Sequence, residues 1–570
     1  MLLALGFGAL SYISFDWVKS HLDALAVDGN ADKFTPVVFK KMVSRLQIAG
    51  SGFLFLSFAL ILFRKPLQQH LHHSLTGISF SKFYRDTKHH ISAAWTEVSP
   101  QHQFLFLIIF FIGVIIRICF LFQPMRHDEA FTFTNYASKP LFVALSNYSF
   151  PNNHLFHTFL VHIFYLCFGN HEWIIRLPAL FTGILLLPVA YLTIRQFYTY
   201  QVALISLALI ATASPLVEYS INARGYMLIC LFFLLLLILA QNLLIQSDKA
   251  RWITFSLVGA LGLYTIPIMV YPLSIVFIWF FASILKTTNK RTRLRQLFFS
   301  GISIGLLTAF FYTPIFLGSG PQALFNNRFV RAAPSWESFF NALFHSGTEL
   351  GQLWTLDYPF ALTLLFIICL IIGCISFSNP KTVPLVIALP ICLLLITLQK
   401  VMPPERTWLF LMPLCFAWIA NGLIYFLEQL KPRSSHQTVI TTIAGLLTII
   451  SLPGAIQNLS NHYQYGPGTL RDANQITQML APKLTPTDRV LTIATAAPLE
   501  YYFNHQNVSI KHLRTPITSA NRIILIVMES KYSLEEVLKK GQIPSMQFSS
   551  PQLIHRYDSA AIYMLIRQSL

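Results

Sequence analysis

Two neighbouring acids, Asp128 and Glu129, follow an apolar stretch at about 104–123 that is long enough to cross a membrane. A carboxylate in such a place can act as a general base, taking the proton of a hydroxyl group as that group attacks. Both acids are candidate catalytic residues, with Asp128 as the base, and each would raise the proton affinity of the other in a shared desolvated pocket. The alternative is an acidic helix end that faces solvent. Because the acids lie beside a lipid surface, we expect chemistry on a lipid-borne substrate.

Arginines near the outer ends of later apolar stretches predict a binding site for phosphate. Arg224 and Arg406 are the candidates, because a planar guanidinium can contact two phosphate oxygens at once. Tyr219 and Tyr226 flank Arg224 in the sequence, and their aromatic faces suit either a sugar ring or the membrane interface. The alternative for each arginine is a side chain that reaches lipid headgroups and binds no substrate.

A polar segment between two apolar runs adds further candidate ligands. Asn153, His154 and His157 could hydrogen-bond the phosphate directly, and the two histidines share a face if the segment is helical. With an acid from the preceding segment they could instead hold a divalent cation, but such a site needs a third ligand that the spacing does not guarantee. We therefore assign no metal ligands and keep a divalent cation as an open cofactor. Histidines that only face headgroups are the alternative.

The composition predicts a membrane protein with many spans. Of the 570 residues, 54% are hydrophobic and only 11% are charged, more apolar surface than one globular core can bury. Apolar runs long enough to cross the hydrocarbon layer recur along the chain, giving roughly thirteen transmembrane helices. Two weaker runs lie near 2–18 and 46–63, and the stronger ones lie at about 104–123, 174–194, 201–216, 226–246, 252–268, 270–286, 296–316, 359–377, 383–399, 408–427 and 438–456.

The formal charge of +18 could indicate a nucleic-acid-binding protein, but Lys and Arg gather in short loops at alternate ends of the apolar runs. This distribution predicts a multi-pass protein of the cytoplasmic (inner) membrane and no nucleic-acid partner. Counting spans from the basic loops places Asp128, Arg224 and Arg406 on the outer side, together with the tail after about 460. This assignment of sides is consistent only if residues 154–168 lie along the membrane surface and do not cross it.

The chain divides into three regions. Residues 1–100 are predicted to form a two-helix anchor and a basic cytoplasmic linker, and residues 101–460 a transmembrane catalytic domain. Residues 461–570 are predicted to form a small α/β domain outside the cytoplasm. The fold class is therefore an all-α polytopic membrane bundle with a small C-terminal α/β extracytoplasmic domain. In that domain the pattern predicts helices at about 470–482 and 533–540 and strands at 489–493, 522–528 and 560–565.

A polar segment at about 318–357 is predicted to be a long outer loop. Loops of that length in a compact protein tend to be functional or disordered. We interpret it as a gate over the phosphate site, and a merely solvated basic loop is the alternative.

Several motifs follow one another along residues 104–460. They are His127-Asp128-Glu129-Ala130, Asn152-Asn153-His154 with His157, Glu172 to Arg176-Leu177-Pro178, Ser214-Pro215 with Tyr219-Ser220, Ala223-Arg224-Gly225-Tyr226, and Pro403-Pro404-Glu405-Arg406. In order and spacing this set resembles the bacterial membrane glycosyltransferases of the GT-C fold, and within them the protein O-mannosyltransferase and lipid A aminoarabinose transferase branch. Residues 1–100 lie outside the resemblance.

The resemblance implies an enzyme that uses a sugar donor carried on a polyprenyl phosphate. It implies an inverting transfer on the outer side of the cytoplasmic membrane, with a first-loop aspartate, here matched by Asp128, near the reacting centre. Arg224 and Arg406 would then bind the donor phosphate. The acceptor is open among a lipid, a glycan and a protein, and the sugar is open as well.

Two other functions remain as alternatives. A transporter should carry its polar residues near the middle of the membrane on broken helices and show repeated halves, whereas here they cluster at one face. A non-catalytic factor in the assembly of envelope polysaccharides could use the same fold with an inactive site, since a fold does not fix an activity.

Overall fold

A computed structural model describes residues 2–25, 34–62, 79–320, 322–325, 331–375, 383–430, 436–466, 468–493, 495–544 and 546–568. Most of these residues are helical. Helices α1 to α24 are, in chain order, Leu2–Leu10, Phe15–Leu25, Pro36–Leu62, Phe80–Thr96, Pro100–Cys119, His127–Thr132, Leu141–Ser146, Leu155–Phe168, Glu172–Phe197, Tyr200–Thr212, Ser214–Ser220, Tyr226–Ile245, Lys249–Thr265, Val270–Leu285, Lys290–Leu317, Gln322–Phe325, Trp336–Thr355, Phe360–Ile375, Val383–Gln399, Met412–Leu430, His436–Tyr465, Ala473–Leu480, Ala496–His505 and Leu534–Lys540.

Every one of the stronger apolar runs forms a helix, so the prediction of a polytopic helical bundle is confirmed. Among the described residues, seven helices are long and apolar enough to cross a membrane, or up to nine if two bent pairs each count as one span. The predicted number of roughly thirteen also counts α13 and α19, which have 17 residues each. It further counts the N-terminal helices.

One span is broken where Ser214-Pro215 interrupts it. Helices α10 and α11 meet there at 62°, because proline at the start of a helix fits the first turn but cannot continue the preceding one. The backbone N–H of Ser214 donates to Oδ2 of the buried Asp357 at 2.6 Å. Asn458 donates to Oδ1 of the same carboxylate at 2.8 Å. The break turns α11 so that its last residues approach the outer polar cluster described below.

Two segments were predicted to lie on the outer side, residues 154–168 along the membrane surface and residues 318–357 as a loop. Helix α8, Leu155–Phe168, has 14 residues, about 21 Å of helix, too short for about 30 Å of hydrocarbon, in agreement with a surface position. The prediction of a long loop at 318–357 was wrong, because half of it is helix α17, Trp336–Thr355. The hydroxyl of Ser335 caps that helix by accepting from the N–H of Ser338 at 3.1 Å. The role as a gate stays a prediction.

The C-terminal domain contains a four-stranded sheet. The strands β1 (Asp488–Thr492), β2 (Arg522–Val527), β3 (Gln552–Arg556) and β4 (Ala561–Ile566) lie in the order β1-β2-β4-β3. β1 and β2 are parallel, and the other pairs are antiparallel. The sequence predicted β1, β2, β4 and the capped helix α24 within one or two residues, but it missed β3 and helix α23.

The C-terminal domain packs onto the short helix α6, which carries the two acids. Helix α23, Ala496–His505, lies against α6, and the hydroxyl of Tyr502 accepts from the N–H of Met125 at 3.1 Å and donates to Glu172 at 3.0 Å. The carbonyl of Gly468 accepts from the N–H of His127 at 3.0 Å. The two domains therefore fix the position of α6 from both sides.

Candidate active site

Helix α6, His127–Thr132, presents Asp128 and Glu129 in its first turn. Acids are favoured there because the unpaired N–H groups and the helix dipole make the N-terminus positive. Arg126 precedes the helix as its N-cap residue, and its backbone N–H donates to Oε1 of Glu129 at 2.9 Å. The acids are thus placed by the same turn, but their side chains have different surroundings.

Glu129 is buried and its carboxylate is fully engaged. Besides Arg126, the backbone N–H of Ala223 donates to Oε2 at 3.1 Å, and Arg176 donates to both oxygens, with Nε 3.0 Å from Oε2. Burial alone would raise the pKa of Glu129, but the Arg176 guanidinium holds it below its ordinary value. A carboxylate accepts about four hydrogen bonds, so none of its positions is left for a substrate hydroxyl.

Asp128 is the more accessible acid, with 38% of its side chain exposed. Its Oδ1 accepts from Nδ2 of Asn152 at 3.2 Å, and its Oδ2 lies 3.9 Å from Nη2 of Arg224. Burial would raise the pKa of Asp128, but Arg224, then Arg406 and His127, hold it below its ordinary value. The carboxylate is therefore ionised at neutral pH and able to accept a proton.

Arg224 lies at the centre of the cluster and is almost entirely buried. Its Nη1 donates to the hydroxyl of Thr132 at 3.1 Å and to the carbonyl of Asn152 at 3.0 Å. These contacts hold the guanidinium beside Asp128. The guanidinium group is thus held in one orientation, with Nη2 facing Asp128 and His154.

His154 places a second donor beside that of Arg224. The backbone N–H of Gly225 lies 2.9 Å from Nδ1, and since an N–H can only donate, Nδ1 is the acceptor. Burial, and then Arg224, hold the pKa of His154 well below its ordinary value, so the neutral ring carries its proton on Nε2. Nε2 is 3.2 Å from Nη2 of Arg224. Two donors this close together can both bond one anionic oxygen that lies to the side of the pair, at hydrogen-bond distance from each.

Arg406 completes the cluster from the opposite wall. It lies in a short 3₁₀ helix, Glu405–Leu411, and its Nε donates to the hydroxyl of Tyr226 at 2.8 Å. The Tyr226 ring meets the rings of His154 and Tyr219 edge to face, with centroids 5.1 Å apart in each case.

Arg224, Tyr226 and Arg406 line a cavity of about 380 Å³, and Asp128 lies outside its lining, 3.9 Å from Arg224. Asn152, His154, Arg224 and Arg406 form its polar end. The rest of the wall is mainly apolar and includes Ile266, Pro267, Ile268, Val270, Leu324 and Met402. The cavity can therefore hold a molecule with an anionic head and a hydrocarbon tail.

The remaining predicted ligands lie behind this wall. Asn153 is buried and its Nδ2 donates to the carbonyls of Ala144 and Asn147, both at 2.8 Å, which closes the preceding turn. His157 is buried in α8, where burial lowers its pKa to about 3. Among the described residues that line the cavity, neither of the two is present. Tyr219 reaches the cluster only through the ring of Tyr226.

Sequence reasoning missed two parts of the cluster. Thr132 and Asn152 position Arg224, and only their proximity to the predicted acid and histidine could have pointed to them.

A second network joins Glu218 to Arg126 at 2.7 Å and to His462 at 2.8 Å, linking α11 to the entry of α6 and the end of α21.

The divalent cation stays a prediction. Among the described residues no group of three or more His, Cys, Asp or Glu side chains is placed to hold a metal ion. Nδ1 of His154 is engaged by the backbone, and Nε2 faces the positive charge of Arg224. This geometry favours an anion at His154.

Neither a protein-family model nor a curated protein matches the chain. Solved structures do match. ArnT from Cupriavidus metallidurans in the apo state is similar with a TM-score of 0.53 and 12% identity, over 80% of this chain and 97% of that chain. ArnT from the same organism bound to undecaprenyl phosphate gives a TM-score of 0.53 and 11% identity over the same shares. At this identity the likeness establishes the fold, so the chain has the GT-C fold expected from its motifs.

Proposed function

We propose that this protein is a glycosyltransferase that moves a sugar from a polyprenyl phosphate to an acceptor hydroxyl. The observation that carries the proposal is a carboxylate, Asp128, 3.9 Å from Arg224, which lines a mainly apolar cavity together with His154 and Arg406. The GT-C fold, seen in ArnT with undecaprenyl phosphate bound, supports a polyprenyl phosphate as the donor class. The reaction requires a base, a site for the leaving phosphate and a site for the lipid chain.

Asp128 is the base. Its carboxylate takes the proton of the acceptor hydroxyl while the oxygen forms a bond to the anomeric carbon of the sugar. Arg224, Arg406 and Asn152 keep it ionised and oriented before the acceptor arrives. Glu129 does not touch the reacting atoms in this mechanism, and it positions α6 through Arg176 instead.

Arg224 and Arg406 receive the leaving group. As the bond from the anomeric carbon to the phosphate oxygen breaks, its electron pair moves to the phosphate, whose growing negative charge the two guanidinium groups stabilise. Nε2 of His154 donates to the same phosphate beside Nη2 of Arg224. The polyprenyl chain lies along the apolar wall.

The acceptor oxygen attacks the face of the sugar opposite the phosphate, so the configuration at the anomeric carbon is inverted. Because the base and the phosphate site are separate groups, the transfer needs one displacement and no covalent sugar-enzyme intermediate. The products are the glycosylated acceptor and the free polyprenyl phosphate, with one proton left on Asp128.

The site lies on the outer side of the cytoplasmic membrane in this proposal. The basic loops at the opposite ends of the spans support that orientation. The C-terminal domain contacts α6 and is therefore on the same side as the site. It is placed to help select the acceptor, which is a lipid, a glycan or a protein.

The test compares envelope lipids and glycans by mass spectrometry in cells that carry the wild-type protein, Asp128→Asn or Asp558→Asn. Asp558 is an exposed acid of the C-terminal domain and serves as the matched control. We expect Asp128→Asn to abolish one sugar modification without changing expression, and Asp558→Asn to retain it. Modification at the wild-type rate in Asp128→Asn would remove Asp128 from the mechanism. Protein-dependent uptake of a labelled solute, with no glycan change, would favour a transporter.

A further inference from the structure

Helix α4, Phe80–Thr96, is attached by one face to the basic ends of the spans, opposite the site. Nη2 of Arg251 donates to Oδ2 of Asp86 at 3.0 Å, and the Trp95 ring packs edge to face on Phe106 with centroids 5.4 Å apart. Nη1 of Arg195 donates to the carbonyl of Ala94 at 2.6 Å. The inner face of α4 is therefore fixed, and its other faces are open.

An apolar stripe runs along one open face of α4. Phe80, Tyr84 and Ile91 are 54%, 68% and 48% exposed. At about 100° per residue these three positions lie within an arc of about 40° beside the packed face. Large apolar side chains that a helix leaves exposed next to membrane spans are suited to lipid.

A basic arc follows the stripe around the helix. Lys82, Arg85, Lys88 and His89 are exposed and lie on the side of α4 away from the packed face. Asp86, the only acid of the helix, is paired with Arg251, so it does not neutralise this arc. Glu97, the next acid along the chain, is paired with Arg195 at 2.5 Å. The exposed face of α4 is thus strongly positive.

We propose that α4 lies in the headgroup layer of the cytosolic leaflet and binds anionic phospholipid there. The stripe of Phe80, Tyr84 and Ile91 enters the acyl region, and the basic arc meets the lipid phosphates. A helix whose three faces contact protein, hydrocarbon and headgroups in turn has the surfaces of an interfacial helix. Because each cation near an anionic surface adds attraction, the arc selects anionic over zwitterionic lipid.

A cavity beneath α4 has room for part of such a lipid. It measures about 350 Å³ and lies between α4 and the spans α9 and α12. Six of its twelve lining residues are apolar, and Thr87, His90, Glu97, Arg195, Gln196 and Asn242 add polar groups. The apolar residues are Val189, Leu192, Leu235, Ile238, Ile91 and Ala94. An acyl chain can enter this space while its phosphate stays at the basic arc. The inference does not depend on the proposed reaction.

The test places a fluorophore on Tyr84→Cys in the stripe, or on Ser92→Cys in the basic arc, in a chain with Cys119→Ser and Cys167→Ser. The labelled protein is reconstituted in nanodiscs of mixed phosphatidylcholine and phosphatidylglycerol in which one lipid or the other is brominated. Bromine in the acyl chains quenches a label that lies among them. A Lys82→Ser, Arg85→Ser, Lys88→Ser variant removes the basic arc, and Lys483→Ser, Lys511→Ser, Lys539→Ser is the control with the same charge change in the C-terminal domain.

We expect the label at position 84 to be quenched more than the label at position 92. We also expect brominated phosphatidylglycerol to quench the label at 84 about twofold or more over brominated phosphatidylcholine at equal content. This stronger quenching by phosphatidylglycerol should vanish in the variant that lacks the basic arc and persist in the control with three substitutions in the C-terminal domain. Equal quenching at positions 84 and 92, or equal quenching by the two lipids in the chain with its arc intact, overturns the proposal. Both readouts use that chain, so they hold even if the arc variant does not fold.

Discussion

Asp128 and Glu129 are adjacent in the sequence but have different surroundings and different proposed roles. They are about 100° apart around α6, so one side chain turns into the protein and the other stays partly exposed beside Arg224. Glu129 meets Arg176, Arg126 and Ala223, whereas Asp128 meets Asn152 and Arg224 and keeps an exposed side. The first arrangement anchors a helix, and the second suits a base.

Replacing Glu129 by Gln should destabilise the protein, since Arg176 would be left buried without its counter-charge. Losing one partner of a buried ion pair costs about 3–5 kcal/mol, so the midpoint of thermal unfolding in detergent should fall by several degrees. Asp128→Asn is the control, and it should unfold near the wild-type temperature because its carboxylate is partly exposed. An unchanged midpoint in Glu129→Gln would contradict the anchoring role.

The pH dependence of transfer should reflect the lowered pKa of Asp128. Since Arg224, Arg406 and His127 hold that pKa below its ordinary value near about 4, the base stays ionised and the transfer rate should stay level from pH 8 down to about 5. Stability from the ionised Asp128 is likewise present above its unfolded pKa and lost only as pH falls through the folded one. Arg406→Gln removes one of the charges that lower the pKa of Asp128. In this variant the fall in transfer rate at acid pH should therefore begin at a higher pH. Rates measured in buffered membranes check this, and a limb centred near pH 6 in the wild type would refute it.

The sequence singled out Asp128, Arg224 and Arg406 as candidates because charged residues beside membrane spans are costly and therefore informative, and the structure brings the three together. It favoured Asp128 as the base but kept Glu129 as a catalytic candidate, since the direction of a side chain at a helix end depends on what packs there. It also grouped Asn153 and His157 with the site, although both turn toward the protein interior.

Among the secondary-structure elements, the helices formed by long apolar runs could be predicted from the sequence, whereas elements that depend on packing could not. Strand β3 is exposed along its whole length and has no alternating pattern, and α23 gains its stability from packing on α6. The segment at 318–357 has polar residues throughout, which hid the amphipathic helix α17. The bend between α10 and α11 was not predicted, because the apolar run at 201–216 continues across Pro215.

Gly468 joins two elements and should be intolerant of a side chain. Its φ is +71°, and a Cβ there would lie 2.7 Å from Cβ of His127, at the start of α6. Gly468→Ala should therefore cost about 1–3 kcal/mol and displace α6. A misplacement of about 1 Å can reduce a rate by about 10²-fold, so transfer should fall strongly while the C-terminal domain remains folded.

Gly347→Ala is the matched control for Gly468→Ala. Gly347 lies in helix α17 with nothing within 4 Å of the added Cβ, so transfer and the unfolding midpoint should be retained or slightly improved. Both variants are compared by transfer rate and thermal unfolding. Full activity in Gly468→Ala would show that α6 tolerates the shift.

For the whole molecule, the site joins residues that are far apart in the chain. Asp128, Arg224 and Arg406 come from separate spans, and the tail from Gly468 onward returns to hold the helix that carries Asp128. Topology counting could place these parts on one side of the membrane, because charge in loops follows a simple rule. It could not give the distances between them, which depend on how the spans pack.

Binding of the donor lipid carrier should stabilise the whole chain, since only the folded protein has the cavity. Undecaprenyl phosphate at about 100 times its dissociation constant should add about 2.7 kcal/mol and raise the midpoint of thermal unfolding by a few degrees. Undecaprenol has the same chain without phosphate and should give a smaller shift, because it leaves Arg224 and Arg406 without an anion.

Arg406→Ala should reduce the stabilisation by undecaprenyl phosphate but not that by undecaprenol. Arg291 is an exposed arginine at the far end of α15, and Arg291→Ala, the control, should respond as the wild type does. Equal shifts with the two lipids would mean that the arginines do not bind the phosphate, and the proposed reaction would lose its leaving-group site.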